Sequence, residues 1–359
     1  MSTSTTPSTM RAAVLTAPGI ENLTVTDVPV PAPRPGWVRI KVMAFGLDRS
    51  EYHSVTGQAG GMSYARVLGI EASGVVDLNP DGVLAPGTQV ATMMGGMGRA
   101  FDGGYAQYVV VPRAQVLPFS SDLDWATIGS VPETLQTAHG SLTTGLDLPA
   151  GGTLLVRGGT SALGLAAGAL ARDRGCRVLA TSRHEAGLAA LAERGLEPVL
   201  DDGDVAGRVR ELVPGGVDGV LELVGVPTLR DSLLATRVHG TVCFAGMLSD
   251  SWTIPTFYPM DWLPNGVRLT ACSGESSDLP AAELQRVLDR IASGALNLLP
   301  VRSYPLEEIV AAQTLWGCAR PSWSCGPGPR VCNLRGSPPR RSLGDRCGVP
   351  TCIGDPGDY

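Results

Sequence analysis

Two hydrophobic periods divide the chain. Over residues 11–130, short alternating apolar runs are broken by Gly and Pro: MRAAVLTAP, NLTVTDVPVPAP, GWVRIKVMAFG, RVLGIEASGVV, GTQVATMM and YAQYVVVP. Alternation with turn residues at this spacing predicts an all-β domain. From Asp124 the spacing lengthens, and WATIGSVPETLQTAHGSLTTGLDL predicts helix, closed by Pro149, Gly151 and Gly152. Strands and helices then alternate. TLLVRG, CRVLATS, PVLDD, GVDGVLELVG, TVCFAGM and VRLTACSG predict strands; EAGLAALAERG, DVAGRVRELV and PTLRDSLLATRV predict helices among them. That order implies a parallel, doubly wound sheet over residues 131–274, covered on both faces. AELQRVLDRIASG predicts an amphipathic helix ending at Gly294, and LLPVRSYPLEEIVAAQT a short strand and a helix start. The chain is therefore expected to be α/β, with a β-rich domain and a parallel-sheet domain.

The stretch Thr153–Arg183 combines an apolar strand, a glycine turn, an alanine-rich helix and a second strand. This is the unit that holds a dinucleotide pyrophosphate at a helix N-terminus. The turn reads GGTSALG, with Ser161 where the middle glycine of GxGxxG would stand. Gly159 is expected to allow the tight turn and Gly164 to bring helix and strand together. The candidate contacts are Gly158, Gly159, Thr160, Ser161, Ala162, Leu163 and Gly164. About twenty residues past such glycines an NAD-binding chain places an acid on the ribose. Here that point reads Thr181, Ser182, Arg183. Ser182 and Arg183 suit a 2′-phosphate, which an acid would repel, so NADPH is the expected cofactor.

Composition narrows the partners. The net charge of -6 speaks against a nucleic-acid partner, and no apolar run approaches a membrane span. Residues 1–10, MSTSTTPSTM, are expected to be a disordered lead-in with no signal-peptide core. Cys176, Cys243 and Cys272 stand alone in strand-like contexts and read as buried thiols of a reducing, cytoplasmic protein. Lys41 is the only lysine, which points to a GC-rich gene. From about Thr314 the periodicity stops. Residues 315–359 are loaded with Pro, Gly, Arg, Cys and Trp, which an out-of-frame GC-rich gene would yield. An irregular, frameshifted tail is the expectation, with a native disordered tail as the alternative; the gene sequence distinguishes them.

GLDRSEYHSVTG (46–57), VLGIEASGVV (67–76), PETLQTAHGSL (132–142), LLVRGGTSALGLAA, GGVDGVLELVG and PLEEIVAA resemble the medium-chain dehydrogenase/reductase superfamily, in its zinc-independent, quinone-oxidoreductase-like branch. The resemblance covers residues 10–314. It implies a GroES-like catalytic domain over 11–130, a Rossmann domain over 131–274 and a return to the catalytic domain over 275–314. It also implies a homodimer through the sheet edge near Arg268–Ser273. Zinc enzymes of this superfamily have ligands where Asp48, Ile70 and Glu133 stand. Ile70 has no lone pair and the soft donors zinc favours are missing, so no metal is expected. Glu71 then has a structural role.

The resemblance further places Thr137 against the nicotinamide amide. Leu223, Val224 and Gly225 would end one strand beside the ribose and nicotinamide, and Ala245, Gly246 and Met247 the next. Without a metal, hydride addition to a quinone or an α,β-unsaturated carbonyl is the expected chemistry, on a small-molecule substrate. Asp48 and Glu133 are candidate cleft carboxylates, and Tyr52 and His53 candidate proton donors. The alternatives are an enoyl reductase acting on thioester or polyketide-like substrates, and a non-catalytic NADPH-binding protein. The family also ends on a helix and strand that complete the β-domain. Their loss to a frameshift would expose core and leave a strand edge unpaired, so poor stability is expected.

Overall fold

The structure, a computed structural model, describes residues 6–296, 301–317 and 330–333. β1 (Thr9–Leu15) pairs antiparallel with β2 (Leu23–Pro29) from Thr9↔Pro29 onward. The lead-in is thus shorter than expected: Thr9 and Met10 already belong to the sheet, and Met10 is buried. β3 (Trp37–Gly46) is followed by α1 (Arg49–Val55), β4 (Arg66–Val67), β5 (Glu71–Leu78), β6 (Gln89–Met93), β7 (Tyr108–Pro112) and β8 (Val116–Pro118). β3 pairs with both β5 and β7, and β5 leads through β6 to β8. Alternate side chains of these strands fill one core, including Val38, Ile40, Val42, Ala72, Val76, Val90 and Val111.

The helical period after Asp124 breaks where its sequence says it must. α2 (Trp125–Gly129) stops before Pro132, which opens α3 (Pro132–Gly140) at its first position. The second domain then builds as expected. Its elements are β9 (Thr153–Arg157), α4 (Ala162–Asp173), β10 (Arg177–Ser182), α5 (Glu185–Glu193), β11 (Glu197–Leu200), α6 (Val205–Leu212), β12 (Val217–Glu222), α7 (Val226–Ala235), β13 (Thr236–Phe244), α8 (Pro259–Trp262) and β14 (Arg268–Ala271). The six strands are parallel, in the order β11-β10-β9-β12-β13-β14. The order reverses at β9, so the crevice above β9 and β12 is the switch point where such sheets bind ligands. β14 lies at the sheet edge, where Arg268–Ser273 was expected.

The return segment reaches the second domain first. α9 (Ala281–Ala292) buries Leu284, Val287 and Leu288 in a core shared with Leu154 of β9, Leu170 of α4 and Ala91, Met93 and Phe119 of the β-domain. It serves both domains, more than a simple return to the first implies. β15 (Arg302–Tyr304) and α10 (Ile309–Gly317) follow. The expected break at Thr314 is corrected in two places. α10 runs on to Gly317, and β16 (Arg330–Asn333) joins the β-domain sheet between β15 and β3. Strand pairing uses backbone groups that every residue but proline carries, so it needs no hydrophobic period. The remainder of the expected tail lies outside the described residues.

Arg157, the last residue of β9, is 1% exposed. Its Nε and Nη2 donate to the Asp201 carboxylate at 2.8 and 2.9 Å, and Nη1 donates to Asp231 at 2.5 Å. Removing the cation leaves two carboxylates crowded under the sheet's ligand edge. Arg157→Met is expected to cost about 3 kcal/mol in chemical denaturation. A loss under about 1 kcal/mol would place the pair with ordinary surface ion pairs.

Candidate active site

The glycine turn has the expected shape with one reassignment. Gly158 holds the left-handed conformation (φ +82°), so Gly158 makes the tight turn. Gly159 instead allows close approach to β10: a Cβ there would stand 2.7 Å from Ala180 Cβ. A Cβ at Gly164 would meet the Gly158 carbonyl at 2.7 Å. Ser161, the departure from GxGxxG, caps α4. Its hydroxyl accepts from Gly164 N–H at 3.0 Å and donates to Gly158 O at 2.9 Å. The next amides, Ala162 and Leu163, have no preceding helical carbonyl to meet them. They supply the donors a pyrophosphate needs.

Three strand ends converge on this turn. A Cβ at Gly158 would lie 3.0 Å from the Leu248 side chain, 3.4 Å from Leu223 and 3.5 Å from Val224. Leu248 N–H donates to Leu223 O, and Ser249 N–H to Val224 O, at 3.0 and 2.9 Å. A Cβ at Gly225 would come within 3.4 Å of Met247 Cα and 3.5 Å of Gly246 O. Leu223, Val224, Gly225, Gly246 and Met247 therefore stand together beside Gly158, and Ala245 N–H is anchored on Glu222 O. Sequence reasoning missed Glu222 and Thr181, which hold this arrangement. Buried Glu222 accepts from the Val224 and Gly225 amides, Thr228 and Ser232. Burial raises its pKa despite those donors. The signal was an acid inside an apolar strand, GVLELVG. Thr181 Oγ1 accepts from Gly158 N–H at 3.0 Å.

At the end of β10 the two expected phosphate contacts differ. Ser182 is buried, and its hydroxyl is engaged with the His184 backbone, donating to O at 3.1 Å and accepting from N–H at 3.2 Å. It shapes the turn. Thr160 packs beside it, both within 3.1 Å of where a Gly187 Cβ would stand. Arg183 is exposed, in no ion pair among the described residues.

The structure sets Asp48 and Glu133 against each other, among carboxyls that also include Glu51 and Glu71. Glu51 accepts from Asp48 N–H at 3.1 Å and Ile70 N–H at 2.7 Å, clamping the start of α1 to the loop before β5. Glu71 accepts from Glu133 N–H at 2.8 Å and from the Gly46 amide. A Cβ at Gly46 would fall 1.7 Å from Glu71 Oε1, so only glycine fits. Asp48 Oδ2 is closed off from solvent and accepts no N–H or O–H donor among the described residues. Its neighbour is Glu133, whose Oε1 accepts from Thr137 Oγ1 at 3.0 Å. Two carboxylates in contact away from water do not both ionise. Burial first, then the charge of Glu133, raises Asp48 well above the aspartate range, while the hydrogen bond from Asp48 opposes the rise at Glu133. Both acids of the pair therefore hold a proton more tightly than free carboxyls do.

Thr137 is buried with its hydroxyl turned to Glu133. Tyr52 and His53 lie one turn along α1 from Asp48. His53 Nδ1 is 2.8 Å from Gln58 Oε1, and its ring meets Trp252 edge-on at 4.5 Å. Burial lowers its pKa, which favours the neutral ring. Arg49 reaches Asp250 at 2.6 Å, so α1 and the loop after β13 touch across the two domains.

Burial raises all four carboxyls, Glu51 to about 7. Each binds its proton more tightly folded than unfolded. Their contribution is therefore favourable at low pH and declines as pH rises through the folded values. The melting temperature is expected to fall between about pH 5 and pH 8, with a shallower slope in Asp48→Asn. A flat wild-type profile over that interval would contradict the buried-acid assignment.

Two family models match the chain: an alcohol dehydrogenase GroES-like domain over residues 34–121 and a zinc-binding dehydrogenase domain over residues 162–293. A zinc-type alcohol dehydrogenase-like protein of Schizosaccharomyces pombe is 29% identical across 60% of this chain and 63% of its own length, under two thirds of that relative. Human quinone oxidoreductase is 26% identical across 80% of this chain and 87% of its own. Two solved structures share the fold. An NAD-dependent alcohol dehydrogenase has a TM-score of 0.77 at 27% identity, covering 90% of this chain and 100% of that one. Mycobacterial Rv1454c, solved with NADPH, has a TM-score of 0.76 at 26% identity, covering 90% and 99%. With the GroES-like domain, the six-stranded parallel sheet and these relatives in agreement, the chain belongs to the medium-chain dehydrogenase/reductase superfamily, in its quinone-oxidoreductase-like branch.

Proposed function

We propose that this oxidoreductase uses NADPH to reduce a quinone or an α,β-unsaturated carbonyl without a metal. The observation that carries the reading is the buried Asp48–Glu133 pair, two acids set against each other where zinc relatives place ligands, with Thr137 donating to Glu133. Zinc does not suit this donor set. Ile70 offers no side-chain donor, and its backbone N–H is spent on Glu51.

The residues around Gly158 fit a dinucleotide. Ala162 and Leu163 amides would bond the pyrophosphate, Arg183 the 2′-phosphate, and Leu223–Gly225 with Ala245–Met247 would line the ribose and nicotinamide. Bound NADPH supplies the hydride. The relatives divide on the cofactor, one structure named for NAD and another holding NADPH. The preference for NADPH therefore rests on Arg183 and on the absence of an acid at Thr181–Arg183. Asp48 gives its proton to the reduced acceptor and regains one from solvent, and Glu133 and Thr137 hold Asp48 in place. Tyr52 and neutral His53 wall the cleft, with Trp252 opposite. The exposed edge of β14 would pair two copies into a homodimer.

The test is NADPH oxidation by the purified full chain against quinones, enones and an enoyl thioester, with NADH and a chelator as controls. Activity is expected to survive chelation. Arg183→Ala is expected to raise KM for NADPH about tenfold and to spare NADH. Asp48→Asn is expected to lower kcat by about 100-fold or more. Activity that disappears on chelation and returns with zinc would overturn the metal-free reading. NADPH binding with no acceptor reduced would leave the non-catalytic alternative, and turnover of the thioester alone the enoyl-reductase one.

A further inference from the structure

The sequence reading left Cys243 and Cys272 as unrelated buried thiols. The fold makes them neighbours. Cys243 lies in β13, register-paired with Thr270 of β14, and Cys272 follows two residues later, its N–H donating to Phe244 O at 3.1 Å. In parallel strands that offset puts both side chains on one face. Both press on Gly145: a Cβ there would stand 2.5 Å from Cys243 Sγ and 3.5 Å from Cys272 Cβ. The two thiols act on each other directly, and the Gly274 amide also acts on Cys272. Ser141, fully buried and without an oxygen or nitrogen partner for its hydroxyl, is turned toward the pair. Cys243 is buried and Cys272 partly exposed. This division fits an attacking sulfur open to reagent and a resolving sulfur behind it.

We propose that Cys243 and Cys272 form a reversible disulfide when the protein meets a hydroperoxide, one strand-end away from Ala245–Met247. The donors around Cys272 favour its thiolate, and Cys243 keeps its proton. The Cys272 thiolate attacks the hydroperoxide; an S–O bond forms, the O–O bond breaks, and the leaving oxygen takes up the proton the thiol had released and departs as an alcohol, or as water from hydrogen peroxide. The Cys243 sulfur then attacks the Cys272 sulfur; the S–S bond forms, the S–O bond breaks, and the Cys243 proton leaves with the hydroxyl as water. Two thiols lose two electrons and the peroxide gains them. Covalent closure draws β13 and β14 together beside the segment assigned to the nicotinamide. A loss of NADPH affinity, about tenfold, follows only if the cofactor reading above also holds.

Full-length reduced protein, treated with hydrogen peroxide, alkylated and digested, is expected to yield a Cys243–Cys272 cross-linked peptide that a dithiol removes. Cys243→Ser is expected to lose the cross-link and leave Cys272 as a sulfenic acid that a 1,3-dione captures. Cys176→Ser is expected to keep the cross-link. Cys272 recovered unmodified, or joined only to cysteines beyond residue 317, would overturn the proposal. NADPH titration is a separate readout: a cross-link without an affinity change would sink the cofactor consequence and leave the disulfide standing.

Discussion

The Glu71 carboxylate is the joint on which both halves of the site depend. It begins β5, accepts from Gly46 at the end of β3 and accepts from Glu133 at the start of α3. Three chain segments that meet nowhere else in sequence are thereby fixed to one group. Burying an acid is costly, and two backbone N–H donors offset part of that cost. Position at the N-terminus of α3 adds a favourable dipole contact. Because the bond is to the backbone of Glu133 itself, it sets where the Glu133 side chain begins. Glu51 does the same for Asp48 from the other side. Two carboxyls with fixed backbone partners thus hold two others face to face, and the raised proton affinity of the pair results from that geometry.

The cofactor side is held by the same device in both signs of charge. Arg157 ends β9 and is clamped by Asp201 and Asp231, while Glu222 ends β12 and gathers the amides of the following turn. Each group sits directly before the residues that would touch the dinucleotide. Buried charges with several partners are stiff, because any displacement leaves a donor or acceptor unmet. The crevice is shaped by polar clamps set into apolar strands, which leaves the Ala162 and Leu163 amides at the start of α4 open to a ligand.

Sequence periodicity carried the strands well because parallel strands buried on both faces read as unbroken apolar runs. It failed at α2 and α3, where a helical period ran straight through Pro132. The site was legible wherever one residue type has one use. Gly164 admits close packing, and that conclusion stands. Roles that depend on partners far along the chain were not legible. Ser182 has the right chemistry for a phosphate, yet its hydroxyl is engaged with His184. Cys243 and Cys272 looked unrelated because their contact depends on strand register. Glu222 was visible as an acid in an apolar run, and only the turn it caps explains it.

The tail shows why composition alone misleads about a strand. Residues beyond Thr314 lack both the alternation and the unbroken apolar run by which a sequence marks a strand. β16 nonetheless pairs with β3 as Val331↔Gly46, Cys332↔Phe45 and Asn333↔Ala44. Its partner is the end of β3 that carries Gly46, the donor to Glu71. An open edge there would leave the Gly46 end of the strand free to fray, and with it one of the two bonds that hold Glu71. A segment with no hydrophobic period of its own thus supports, through backbone pairing alone, the strand end on which the carboxyl pair is built.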